Sequence, residues 1–163
     1  MITKIYHTVY SDEDVSALQY DLCNLVKWSK EWQMLFNADK CKVMHVGYNN
    51  TNKHANYDVN DVQLECVSEE KDLGVIISED LKWQKQCSEA VRKANRMLGL
   101  IKRNFIDRSQ ETIILLYKSL VRPHLEYCCQ IWSPYYKKDI KLIEGVQRRA
   151  TKLVTGIYAG IKL

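Results

Sequence analysis

Residues 81–104 read L-K-W-Q-K-Q-C-S-E-A-V-R-K-A-N-R-M-L-G-L-I-K-R-N. Cys87, Ala90, Val91, Ala94, Met97, Leu98 and Ile101 recur at three- and four-residue intervals, the period of one helical face. Lys85, Arg92, Arg96 and Arg103 recur at intervals of 7, 4 and 7 and line a second face. The stretch is therefore an amphipathic helix with an apolar side and a cationic side. The same pattern returns twice downstream. Ser109 or Gln110 opens a helix with Ile113, Leu116, Tyr117, Leu120 and Val121 inward. Pro123 should kink or end it near Arg122, since proline removes a backbone hydrogen bond. Leu125, Cys128 and Trp132 continue that apolar face, and Tyr117, Tyr127 and Trp132 read as core aromatics. After a break at Ser133-Pro134, Ile140, Ile143, Val146, Ala150 and Val154 turn inward, with Lys141, Arg148 and Lys152 outward. Three consecutive amphipathic helices point to a helical bundle over residues 80–155.

Upstream the pattern differs. Residues 5–9 (I-Y-H-T-V) read as a short strand. Ser11 can cap a helix whose first turn holds Asp12, Glu13 and Asp14, where the helix dipole favours acids. Val15, Leu18, Leu22, Leu25, Ser29 and Trp32 then follow on one face. Residues 42–47 read as a strand, and residues 48–56 as a polar loop with four asparagines. Asn60-Asp61 lies between two short apolar runs, a tight hairpin signal. Residues 73–77 (L-G-V-I-I) read as a buried strand containing a glycine bulge. The expected fold class is α+β: a small antiparallel sheet with one long helix over residues 1–79, a three-helix bundle over 80–155, and a tail at 156–163.

Charge divides at the same place. Residues 1–80 carry 7 Lys/Arg against 14 Asp/Glu, whereas residues 81–163 carry 17 against 6. The overall charge of +4 conceals a basic second half, and a polyanion is the first partner to consider. Few acids interrupt the Lys85–Arg103 stripe, which favours a nucleic-acid contact over a merely solvated face. Cysteines at 23, 41, 66, 87, 128 and 129 form no C-x-x-C pair, and histidines 7, 45, 54 and 124 are scattered, so no zinc site is expected. The cysteines read as reduced thiols of an intracellular protein, nuclear or cytoplasmic, because no signal peptide or membrane span is evident. The sequon at Asn49 carries no weight without a secretory route.

Longer stretches resemble a known family. W-Q-M-L-F-N-A-D-K-C-K-V-M-H at 32–45, K-D-L-G-V at 71–75, L-Y-K-S-L-V-R-P-H-L-E-Y-C at 116–128 and V-Q-R-R-A-T-K at 146–152 occur in the order in which similar segments follow the catalytic turn of reverse transcriptases. In particular they resemble those of non-LTR (LINE-type) retrotransposons of the Jockey and chicken-repeat group, and the likeness spans roughly residues 3–154. The resemblance implies a C-terminal palm segment followed by a thumb. It implies a primer-grip turn at Leu73, Gly74 and Val75. It places Lys40 where the family has a general acid that protonates pyrophosphate. It implies that Lys85, Arg92, Arg96, Arg103, Arg148, Arg149 and Lys152 meet an RNA/DNA template–primer duplex.

The departures carry equal weight. In that family an Asp-Asp pair holding magnesium precedes a Thr-Lys like Thr3-Lys4, and here Met1-Ile2 stands in its place. Residues 154–163 do not resemble the family's continuation. The chain thus reads as a fragment of an RNA-directed DNA polymerase, lacking fingers and most of the palm. It should contribute duplex binding rather than the metal site, bind no cofactor itself, and extend no primed template alone. A stand-alone nucleic-acid-binding module and a non-functional translated relic are the other readings. The incomplete sheet should leave an open edge and apolar face that invite self-association.

Overall fold

The computed structural model describes residues 3–47 and 55–154. The chain is α+β, with the order α1 (Asp12–Glu31), β1 (Lys42–Val43), β2 (Asp58–Val59), β3 (Val62–Gln63), β4 (Glu65–Cys66), β5 (Glu69–Asp72), β6 (Val75–Ser78), α2 (Gln84–Asn104), α3 (Gln110–Leu116), α4 (Arg122–Glu126) and α5 (Lys137–Thr151). It divides into two compact units. One is Met1–Glu70 with Glu79–Leu81, and the other is Lys71–Ser78 with Lys82–Leu163. The expected 48–56 loop lies mostly, and the expected tail wholly, outside the described residues, as does Met1-Ile2.

In the first unit α1 starts as its sequence dictates. The Ser11 hydroxyl accepts from the Asp14 amide, while the Asp14 carboxylate accepts from the Ser11 amide at 2.8 Å and the Tyr10 amide at 2.9 Å. This reciprocal cap satisfies amides that the first helical turn leaves unpaired. Those bonds, from the Tyr10 amide and then the Ser11 amide, hold the Asp14 carboxyl below the ordinary 3.8. A depressed folded pKa stabilises above the unfolded value, and the contribution is lost as pH falls through the folded one. Helicity followed by circular dichroism should therefore decline below about pH 4, and Asp14→Asn should flatten that decline.

The strands of this unit pair only in twos. The Asn60-Asp61 turn forms as expected, with φ of 53° and 60°, between antiparallel β2 and β3. Three expectations are corrected. Residues 5–9 form no strand, so nothing extends the sheet there. The 42–47 strand shrinks to β1, which pairs with β4 in parallel rather than antiparallel register, Lys42 opposite Glu65. Gly74 is not inside a strand: Leu73 (φ 44°) and Gly74 (φ 89°) make the turn between β5 and β6. Large apolar side chains of this unit lie open, among them Tyr20, Trp28, Trp32 and Leu35, while Tyr57 and Val59 are buried.

The second unit is built around α2. Its expected inward face is buried at Cys87, Ala90, Val91, Ala94, Leu98 and Ile101. Ile113, Val121, Leu125, Val146, Ala150 and Val154 complete one core with it. A second core joins Val75, Cys87, Ala90 and Trp132, and Ile143 packs against both. Burial, and then the nearby Asp139 carboxylate, push the Cys87 thiol up to about 11, so this cysteine stays protonated and inert. Pro123 does not end the helix at Arg122. The turn Tyr117–Val121 is π-helical, and it lets α3 run on into α4 with Pro123 in the first turn of α4. Widening the turn relieves the clash between the proline ring and the carbonyl four residues earlier. Tyr127 is not core: its side chain is half exposed and acts through its hydroxyl, as described below. The last helix begins at Lys137, later than the Ser133-Pro134 break.

Candidate nucleic-acid interface

Two side-chain bonds fix how α2 and α5 lie together. Lys138 Nζ donates to Gln84 Oε1 at 2.6 Å, and Arg149 Nε donates to Asn95 Oδ1 at 3.0 Å. Both pairs are 54 residues apart, so α2 and α5 run parallel in one register. At Gly145 an added Cβ would meet the Arg149 guanidinium only at ordinary contact distance, 3.5 Å. The basic C-terminal turns of the two helices, with Lys102 and Arg103 on α2 and Arg148 and Arg149 on α5, therefore come to the same end. Cations are favoured there by both helix dipoles.

The basic residues expected at the interface are all exposed and all belong to this unit. They are not equivalent. Arg92 is held by Glu89 through two bonds of 2.7 Å. Hydrogen bonding to Arg92 in turn keeps the Glu89 carboxyl below its ordinary value. Arg148 lies 3.7 Å from Glu144. Arg149 is spent on Asn95 and serves as a strut. Lys85 heads the stripe, and Lys152 caps the end of α5. Arg96 and Arg103 remain the most available cations. Gly99 lies between them, and a Cβ there would meet nothing within 4 Å. A glycine inside a helix costs about 1 kcal/mol. Here it leaves bare backbone, free for close approach, in the middle of the stripe.

The turn at Leu73, Gly74 and Val75 is anchored to the same unit at three points. Val75 is buried against Cys87, Ala90 and Trp132. The Ile76 amide donates to Gln86 Oε1 at 2.9 Å. The Tyr127 hydroxyl donates to the Leu73 carbonyl at 2.8 Å. The outcome is a rigid turn whose tip, Leu73, is 71% exposed. Gly74 needs its left-handed backbone, and a Cβ would also sit 3.3 Å from Tyr127 Cε1. Gly74→Ala should therefore lower stability by about 1–2 kcal/mol, and Tyr127→Phe by about 0.5–1.5 kcal/mol, both read by urea unfolding of the full chain.

Lys40 belongs to the other unit, exposed at the end of the 3₁₀ turn Ala38–Lys40. Sequence patterning missed Gln86, Asn95, Tyr127 and Lys138, because their partners lie up to 54 residues away. Among the described residues no group of three or more His, Cys, Asp or Glu side chains is placed to hold a metal ion. Among the described residues, too, no helix is long and apolar enough to cross a membrane.

The structure thus defines an α+β chain with a cationic face on paired parallel helices and a rigid turn on the same unit. Over 135 residues, 80% of its length, the chain is 23% identical to a Drosophila melanogaster protein described as a probable RNA-directed DNA polymerase from transposon X-element. The matched stretch is 14% of that relative, so the chain is similar to about one-seventh of a transposon polymerase. No family model matches the chain, and no solved structure does.

Proposed function

We propose that this chain is the duplex-holding part of a retrotransposon reverse transcriptase, the end of the palm followed by the thumb, of the non-LTR, Jockey-like kind. On this reading the α2–α5 face grips an RNA/DNA template–primer through its phosphates, and the turn at Leu73–Val75 approaches the primer end. The observation that carries it is that Lys85, Arg92, Arg96, Arg103, Arg148, Arg149 and Lys152 all lie exposed on one unit, which also holds the clasped turn. Phosphate contacts of this kind position a duplex without reading its sequence. An A-form hybrid is recognised by shape and backbone in the same way. The carboxylates that would hold magnesium, and the fingers, would come from other parts of the polymerase. Lys40 would act as general acid only in that larger assembly. Open apolar side chains on the first unit would meet the rest of the palm, or a second copy when it is absent. The setting would be the nucleus or cytoplasm.

Binding of a blunt RNA–DNA hybrid, measured by fluorescence anisotropy at several salt concentrations, tests this reading. Neutralising about four phosphates gives a slope of log K against log salt of about −3 to −4. Binding indifferent to salt would exclude a phosphate-gripping face.

A further inference from the structure

The segment just before α5 carries two adjacent tyrosines that no core absorbs. Tyr135 is 87% exposed and Tyr136 is 45% exposed. Their rings meet edge to face with centroids 5.7 Å apart, so each braces the other while the Tyr135 ring stays open to solvent. Lys138 lies with its Nζ 5.7 Å from the centroid of Tyr136. The same Nζ donates to Gln84 Oε1, one residue before Lys85. The aromatic pair is thereby tethered to the N-terminal end of the basic α2–α5 face.

The charge around the pair is also unusual. Lys137 and Lys138 occupy the first turn of a 15-residue helix, where its dipole disfavours cations. The one acid of that turn, Asp139, is buried at 2% exposure and does not offset them at the surface. An exposed aromatic ring, braced edge to face by a neighbour that carries Lys138 over it and tethered to the proposed phosphate-binding face, has the chemistry of a single-strand platform. Bases stack on the ring, and lysines meet the adjoining phosphates.

We propose that Tyr135, braced by Tyr136 and flanked by Lys137 and Lys138, stacks an unpaired base of a strand running off the duplex held along α2 and α5. This rests on the reading of that face as a duplex grip, and it adds a site for single-stranded overhang. The test compares the full 163-residue chain on a blunt RNA–DNA hybrid with the same hybrid bearing a four-nucleotide overhang of either polarity. One polarity should bind about tenfold tighter than blunt, within the range a single stacked base supplies. Tyr135→Ala should erase that preference and leave blunt affinity unchanged, while Tyr135→Trp keeps it. A 2-aminopurine at the first overhang position should be quenched by the wild-type chain and not by Tyr135→Ala. Blunt binding with no preference for either overhang overturns this site alone. An equal loss on blunt and overhang substrates in Tyr135→Ala overturns it as well. Failure of every duplex to bind removes the underlying grip and the overhang site with it.

Discussion

The double variant Arg96→Glu, Arg103→Glu should lose duplex affinity by on the order of a hundredfold at low salt. Its log–log salt slope should also flatten by about 2, since each phosphate contact contributes about 0.9. These two arginines are the informative pair. They flank the bare backbone of Gly99, and both project from the side of α2 opposite Ala94, Leu98 and Ile101. Arg92 is a poorer handle, because Glu89 already satisfies its guanidinium with two bonds. Reversing Arg92 would also place two acids three residues apart and perturb the helix itself. Because Arg96 and Arg103 are exposed, the double variant should keep the far-ultraviolet spectrum and unfolding midpoint of the parent. Unchanged affinity would move the contact to the Arg148–Lys152 end of α5.

Trp132→Ala should cost about 3–5 kcal/mol of stability. Trp132 is 1% exposed, and it joins Val75 of the hairpin to Cys87 and Ala90 of α2. Its Nε1–H donates to the Tyr127 carbonyl at 2.6 Å, which fixes the chain just after α4. Removing the ring opens a cavity between strand and helix and leaves that carbonyl without its partner. A domain of this size has only about 5–15 kcal/mol in hand, so the second unit should be largely unfolded by modest urea. Trp132→Phe should fall between, retaining apolar volume and losing the donor. A loss below about 1 kcal/mol for the alanine variant, by urea titration, would show that the hairpin does not depend on this core.

What could be read from sequence was what is local. The two faces of α2 follow from a 3.6-residue period, and burial of Cys87 through Ile101 on one side with Arg96 and Arg103 on the other matches it. The Ser11–Asp14 cap and the Asn60-Asp61 turn each need only four or so neighbouring residues. What escaped depends on distant partners. Parallel pairing of β1 with β4 joins residues 23 apart in sequence, and two-residue strands leave no alternation to detect. Pro123 was read as a breaker because its accommodation by a π-helical turn upstream leaves no compositional mark. Tyr127 looked apolar by its spacing, yet its hydroxyl is what holds the Leu73 carbonyl. The basic residues were legible as a group. The paired cations Arg92 and Arg148 have their acids three and four residues back on the same helix, a local pattern, whereas the strut Arg149 required the helix–helix geometry.

On the proposed function, one surface of the helical unit grips duplex nucleic acid. Amide hydrogen exchange of the full chain, with and without a blunt RNA–DNA hybrid at low salt, tests it most directly. New protection is expected along Lys85–Arg103, along the C-terminal half of α5 and at the Leu73–Val75 turn, with α1 unchanged. Protection confined to α1 and the strands around it, or none at hybrid concentrations that saturate anisotropy, would contradict it.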